Sequence, residues 1–151
     1  MKFNWFILFC LTSIMMFSQK NIVEGTRVVP KWELSFELAK KRAKQEKKPI
    51  LIYFSGSDWC GPCIKLDNEL FHTEKFVSFY EDKFVLYLAD FPRNKDLVSD
   101  EARKINKKLS KKYNNSFPMV LIINRKGKVL GERRGSYLPD SYYSFFESVL
   151  N

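Results

Sequence analysis

Two cysteines three positions apart, Cys60 and Cys63, lie in the stretch Trp59-Cys60-Gly61-Pro62-Cys63, which follows the apolar run Ile50-Leu51-Ile52-Tyr53-Phe54. Thiols at this spacing can close and reopen a disulfide, so the stretch is a candidate redox centre. The β-branched and aromatic run suits a buried strand, and Pro62 is tolerated in a helix only within its first turn. The cysteines are therefore expected at a strand-to-helix junction. There the Cys60 sulfur would face unpaired backbone N–H groups and the positive end of the helix dipole, both of which favour thiolate. A thiol of pKa about 8.5 is only about 3% ionised at pH 7, whereas one shifted to about 7 is roughly half ionised. Cys63 follows one turn later on the same face. This order makes Cys60 the attacking sulfur and Cys63 the resolving one.

A structural zinc site would need four ligands, and the other candidates in the chain are Cys10, inside an N-terminal apolar segment, and the single histidine, His72. No metal is expected, and no cofactor is implied. At 151 residues, 45% hydrophobic and 16% aromatic, the chain supports one domain with a sizeable core and is not of disordered composition. Lys and Arg number 26 against 17 Asp and Glu, a net charge of +9. These charges are spread along helices and loops with no nucleic-acid motif around them, so a solvated basic surface is the default and nucleic acid is not an expected partner. Contact with acidic lipid headgroups or acidic proteins is the alternative use of that charge.

Met1-Lys2 followed by the apolar run from Phe3 to Phe17 is short for a membrane span, which takes about 20 residues, and reads as a secretory signal cleaved after Ser18. An uncleaved anchor over residues 3–17 is the alternative. Bulky Phe9 before Cys10 argues against a lipoprotein signal. Cleavage would remove Cys10 and leave Cys60 and Cys63 as the only thiols of the mature chain. The expected location is outside the cytoplasm, periplasmic or secreted.

Residues 19–34 are expected to lead into the domain, with Val28-Val29 as a short edge strand ended by Pro30. Residues 35–151 form the domain itself. Ser35 suits a helix cap, and Trp32, Phe36, Ala39 and Ala43 recur at helical spacing before Lys47-Lys48-Pro49. The active-site helix continues through Leu66 and Leu70 with Asp67 and Glu69 on its solvated side, and Thr73 caps a short helix bearing Phe76, Val77 and Tyr80. Phe84 to Leu88 is a second buried strand, and Asn94 to Tyr113 a charged helix with apolar points at Leu97, Ala102, Ile105 and Leu109. Met119 to Ile123, the turn Asn124-Arg125-Lys126-Gly127 and the strand Lys128 to Arg134 make a hairpin. Pro139-Asp140 opens a last helix with Tyr142, Phe145, Phe146 and Val149 inward. The parallel βαβ half plus the antiparallel hairpin is an α/β architecture: a central mixed sheet with helices on both faces.

This order, together with Trp59-Cys60-Gly61-Pro62-Cys63, resembles the thioredoxin family from about Ser35 to Leu150. Phe117-Pro118 before the third strand resembles the family's cis-proline segment, and Gly127 and Gly135 also fit. Lys48-Pro49, the pentad, Leu66, Glu69 and Phe71 are most like secreted and periplasmic members. The resemblance implies a thioredoxin-like fold and a cis-proline loop beside the two sulfurs whose backbone pairs with a substrate chain. In thioredoxin a buried Asp precedes the active site and a Lys follows in the next strand; the aligned positions here hold Tyr53 and Tyr87, while Asp58 lies in a longer loop. Ile64 replaces a Lys and joins Trp59 and Phe117 in an apolar rim suited to exposed chain segments.

The sequence thus points to an exported thiol-disulfide oxidoreductase that exchanges disulfides with protein substrates, reduction favoured, supplied by an upstream thiol electron donor. Trp59, Gly61, Pro62, Ile64, Phe117 and Pro118 are the expected substrate contacts. The rival is a non-catalytic protein, either a chaperone using the apolar rim or a copper carrier using the two thiolates.

Overall fold

A computed structural model describes residues 27–113 and 116–151. The signal or anchor segment, Cys10 and residues 19–26 lie outside the described residues. The element order is α1 Phe36–Glu46, β1 Ile50–Ser55, α2 Gly61–Leu66, α3 Glu74–Phe79, β2 Val85–Asp90, α4 Asp100–Tyr113, β3 Met119–Ile123, β4 Val129–Arg134 and α5 Pro139–Leu150. No described helix is long and apolar enough to cross a membrane.

The sheet order is β2-β1-β3-β4, with β1 and β2 parallel and the remaining pairs antiparallel. The period-two alternation of a strand divides the core cleanly. Leu51, Tyr53, Leu86, Val120 and Ile122 point to one face, where they meet Cys63, Leu66, Phe76, Tyr142 and Phe146. Ile50, Ile52, Phe54, Val85, Tyr87, Ala89, Met119 and Leu121 point to the other, against Ala39, Ala43 and Leu109. Strands so buried on both faces read as near-continuous apolar runs, as β1 and β3 do.

Ser35 caps α1 through its hydroxyl, which accepts from Leu38 N at 3.2 Å. Lys47 ends the helix with φ of 57°. Trp32 does not belong to this helix, contrary to its helical spacing. It makes an isolated parallel bridge to Leu86, and Glu33 N donates to Leu86 O at 2.9 Å. Its indole packs on the opposite face from Ala39 and Ala43, 5.2 Å from Phe71 and 6.2 Å from Tyr53. The edge contact expected at Val28-Val29 therefore falls at Trp32, and Val29 is exposed. The long helix expected from Asn94 is also divided: a short turn at Lys95–Leu97 precedes α4, and Leu97 is exposed. The break holds Arg103, which donates to the carbonyls of Lys95 and Val98 at 2.5 and 2.6 Å.

Candidate active site

Cys60 stands at the N-cap of α2 with φ −88° and ψ 93°, and Pro62 lies in the first helical turn, where its missing N–H costs nothing. Cys63 N–H is directed at Cys60 Sγ at 3.3 Å, so the first sulfur occupies the place a capping oxygen would take. The two sulfurs form a disulfide. The two cysteines differ in access: Cys60 is 5% exposed, whereas Cys63 is fully buried. Cys60 is thus the more accessible of the two sulfur-bearing residues.

The loop between β1 and α2 is fastened to the loop after β2. Ser57 donates to Asp90 through its backbone N–H at 2.9 Å and its hydroxyl at 2.5 Å. Trp59 Nε1 donates to Phe91 O at 2.7 Å. Asp58 accepts from the backbone N–H groups of Arg93 and Asn94 at 2.9 and 2.8 Å. The Asn94 and Arg93 N–H groups hold its carboxyl below the usual Asp range. Both oxygens of Asp58 are thus committed to tying the loops. Gly56 is required here, since a Cβ would stand 2.6 Å from the Trp59 ring.

Of the expected substrate contacts, the structure brings Trp59 and Phe117 together edge to face, ring centres 5.4 Å apart. Phe91 and Arg93, which sequence reading missed, complete this rim. Phe91 packs 5.4 Å from Phe117, and the Arg93 guanidinium sits 5.6 Å from the Trp59 ring centre. The Phe117-Pro118 peptide is cis, and Pro118 is buried. Gly61 and Pro62 are exposed at the helix start. Ile64, 41% exposed, lines a different cavity of about 220 Å³ with Arg27, Ser55, Ser57, Asp67, Asn68 and Leu88.

Tyr53 and Tyr87 part company. Tyr53 lies on the dithiol face and donates to Cys63 O at 2.8 Å, and burial pushes its phenol well above the usual range. Tyr87 lies on the opposite face and donates to Asn106 Oδ1 at 2.6 Å, its pKa raised to about 12 by burial. The residue beside Tyr53 in the parallel register is Leu88, one position along. No tyrosine therefore stands in β2 where the aligned Lys would face the site.

Asp67, expected on the solvated side, is half-buried. It opens a wider π-type turn, Asp67–Phe71, that continues α2. Its Oδ2 lies 3.1 Å from His72 Nδ1 and 3.9 Å from Arg27 Nη2. Burial pushes its carboxyl above the usual range, and the nearby Asp90 charge adds to this, while His72 and Arg27 oppose it. No spacing rule pointed to this residue, because Arg27 is 40 positions away.

A thioredoxin-like domain model matches residues 36–150. The chain is 35% identical over 100 residues to the disulfide bond reductase DsbH of Chlamydia pneumoniae, covering 66% of this chain and 59% of that protein. It is 29% identical over 124 residues to the thioredoxin-related protein DsbJ of the same organism, covering 78% of this chain and 35% of that protein. The chain thus spans less than two thirds of the length of these curated relatives. A solved structure of a DsbH oxidoreductase superposes with a TM-score of 0.73 at 31% identity, over 82% of this chain and 85% of that one. With a matching mixed sheet, a disulfide at the start of α2 and a family match across three quarters of its length, the chain belongs to the thioredoxin-like domain family.

Proposed function

We propose that the protein is a thiol-disulfide oxidoreductase acting on protein disulfides, with reduction as the favoured direction. The observation that carries this reading is the placement of Cys60 Sγ at the helix N-cap, 3.3 Å from the Cys63 N–H, with Cys63 itself sealed from solvent. A reduced Cys60 held there is the more readily ionised sulfur. Its thiolate attacks one sulfur of a substrate disulfide, forms a mixed disulfide and expels the other sulfur as a thiolate that takes up a proton. Cys63 then loses its proton and attacks the Cys60 sulfur, closing the internal disulfide and releasing the second substrate thiol. Two electrons and two protons have moved to the substrate, and an upstream thiol donor must restore the dithiol.

The rim of Trp59, Phe91 and Phe117 offers an apolar platform for an extended substrate segment, with Gly61, Pro62, Ile64 and Pro118 as further contacts. The relatives' names support disulfide chemistry, and the N-terminal apolar segment supports export. The direct test is a trap. Cys63→Ser should accumulate mixed disulfides through Cys60, while Cys60→Ser should accumulate none. Equal trapping by both variants would overturn the assignment of roles, and failure to reduce insulin in the presence of dithiothreitol would overturn the activity.

A further inference from the structure

The two ends of the sheet differ in chemistry. The dithiol lies beyond Ser55 at the C-terminal end of β1, whereas Ile50 at the other end pairs with Ile123, so the β3–β4 turn sits at the remote pole. Five strand steps separate these ends by about 17 Å. At the remote pole, Lys44 from the last turn of α1 lines an open concavity of about 400 Å³ with Asn124, Arg125 and Lys126. Lys112 from the last turn of α4 reaches the same turn, its Nζ 3.6 Å from where a Cβ on Gly127 would stand. Lys128 follows directly.

None of these five cations makes an ion pair with a carboxylate among the described residues. Glu46, at the end of α1, is already held by Arg42 at 2.5 Å and Lys48 at 2.8 Å. The turn that carries them is well defined. Asn124 Oδ1 accepts from the backbone N–H groups of Lys126 and Lys128 at 2.9 and 3.0 Å, and Gly127 supplies the positive φ of 81°. The side chains of Arg125, Lys126 and Lys128 stand exposed, with half-exposed Val129 and Leu130 next to them.

Uncompensated like charge on one pole is complementary to a partner whose negative charge is spread over a surface. Tyr113, the aromatic side chain at this turn, is part-buried, donates to Gly127 O at 3.3 Å and carries Lys112 5.0 Å from its ring centre, which disfavours its use to stack a nucleic-acid base. Exposed aliphatic side chains beside flexible cations suit a lipid interface instead. We infer that this basic pole docks the protein on an anionic phospholipid surface, with the dithiol end turned outward toward soluble partners. The inference does not depend on the chemistry of the dithiol.

Vesicle flotation of the full chain tests it. Each Lys or Arg near an anionic bilayer raises partitioning about fivefold. Binding to vesicles of phosphatidylcholine with about 30% phosphatidylglycerol should therefore exceed binding to pure phosphatidylcholine by at least about tenfold in about 20 mM KCl, and fall away by about 0.5 M. An apolar N-terminal segment would hold both vesicle types equally, so the chain beginning at Gln19 is floated beside the full chain and the comparison of vesicle types is read from it. Arg125→Glu/Lys126→Glu should reduce the anionic preference at least about tenfold, while Lys75→Glu/Lys95→Glu, with the same change in net charge elsewhere, should stay within about threefold. Parity between the vesicle types, or equal loss in the two double variants, overturns the inference. The reduced, vesicle-bound protein should also react with a soluble aromatic disulfide at an unchanged rate; protection of the thiols on binding would overturn the orientation.

Discussion

The hydroxyl of Tyr53 donates to the carbonyl of Cys63 at 2.8 Å, so the strand that precedes the active site is bonded to the first turn of the helix that carries it. Cys63 O also accepts from Asp67 N, so it keeps one partner if the hydroxyl is removed. Tyr53→Phe should accordingly cost only about 0.5–1.5 kcal/mol, the net worth of one buried hydrogen bond, in a urea unfolding midpoint. A loss above about 3 kcal/mol would mean that the hydroxyl holds more than this carbonyl.

What the sequence made legible follows from local periodicity. β1 and β3 are unbroken apolar runs, and their two-residue alternation sorts every side chain onto a face once the strand is accepted. The same alternation separates Tyr53 from Tyr87: a one-residue difference in register moves a side chain through the sheet, and the alignment of the longer 55–58 loop carried that ambiguity. Trp32 matched a helical period by spacing alone, while its bridge to Leu86, more than fifty positions away, decided its place. Asp58, Asp90 and Asp67 were opaque for a related reason. Each acts through partners about 30 to 40 residues distant, and a lone acid in a loop or on a helix face carries no local mark of such a partner.

Gly56→Ala should disturb the redox centre without touching a sulfur. The added Cβ would meet the Trp59 ring 2.6 Å away, and that ring is fixed by its bond to Phe91 O, so it cannot simply swing aside. Overpacking of this kind costs about 1–3 kcal/mol. The expected outcome is a lower melting temperature together with altered Trp59 fluorescence on reduction. An Ala variant with wild-type stability and spectrum would show that the loop relaxes freely.

Asp67 gives a pH dependence of definite sign. Its folded-state carboxyl titrates above the ordinary 3.8, first because of burial. The native state therefore binds this proton more tightly than the unfolded chain does, and stability from this group is full below the unfolded pKa and lost as pH rises through the folded one. Arg27, His72, Asp90 and Tyr53 are the groups around it. In Asp67→Asn the stability relative to wild type should rise as pH increases above the ordinary Asp range, read as urea midpoints at each pH. A difference that falls with pH would show that the ion pairs with Arg27 and His72 outweigh the burial.

The direction of exchange is set by the potential of the Cys60/Cys63 couple. It should lie nearer thioredoxin's, about −270 mV, than that of protein disulfide isomerase, about −180 mV. The gap of about 90 mV is roughly 4 kcal/mol, or about a thousandfold in the exchange equilibrium. A lower Cys60 pKa stabilises the reduced form and makes the couple more oxidising, and the N–H of Cys63 aimed at Cys60 Sγ works in that direction. Negative charge near the sulfurs works against it. β1 supplies no buried acid at Tyr53, yet Asp67 and Asp90 lie close enough for their charges to add to the effect of burial on the Tyr53 phenol, whose oxygen bonds Cys63 O. These carboxylates should take over part of the restraint on Cys60 ionisation. Equilibration against glutathione measures the potential, and thiolate absorbance across pH measures the pKa. A potential above about −200 mV would replace the reductase reading with that of an oxidant or isomerase.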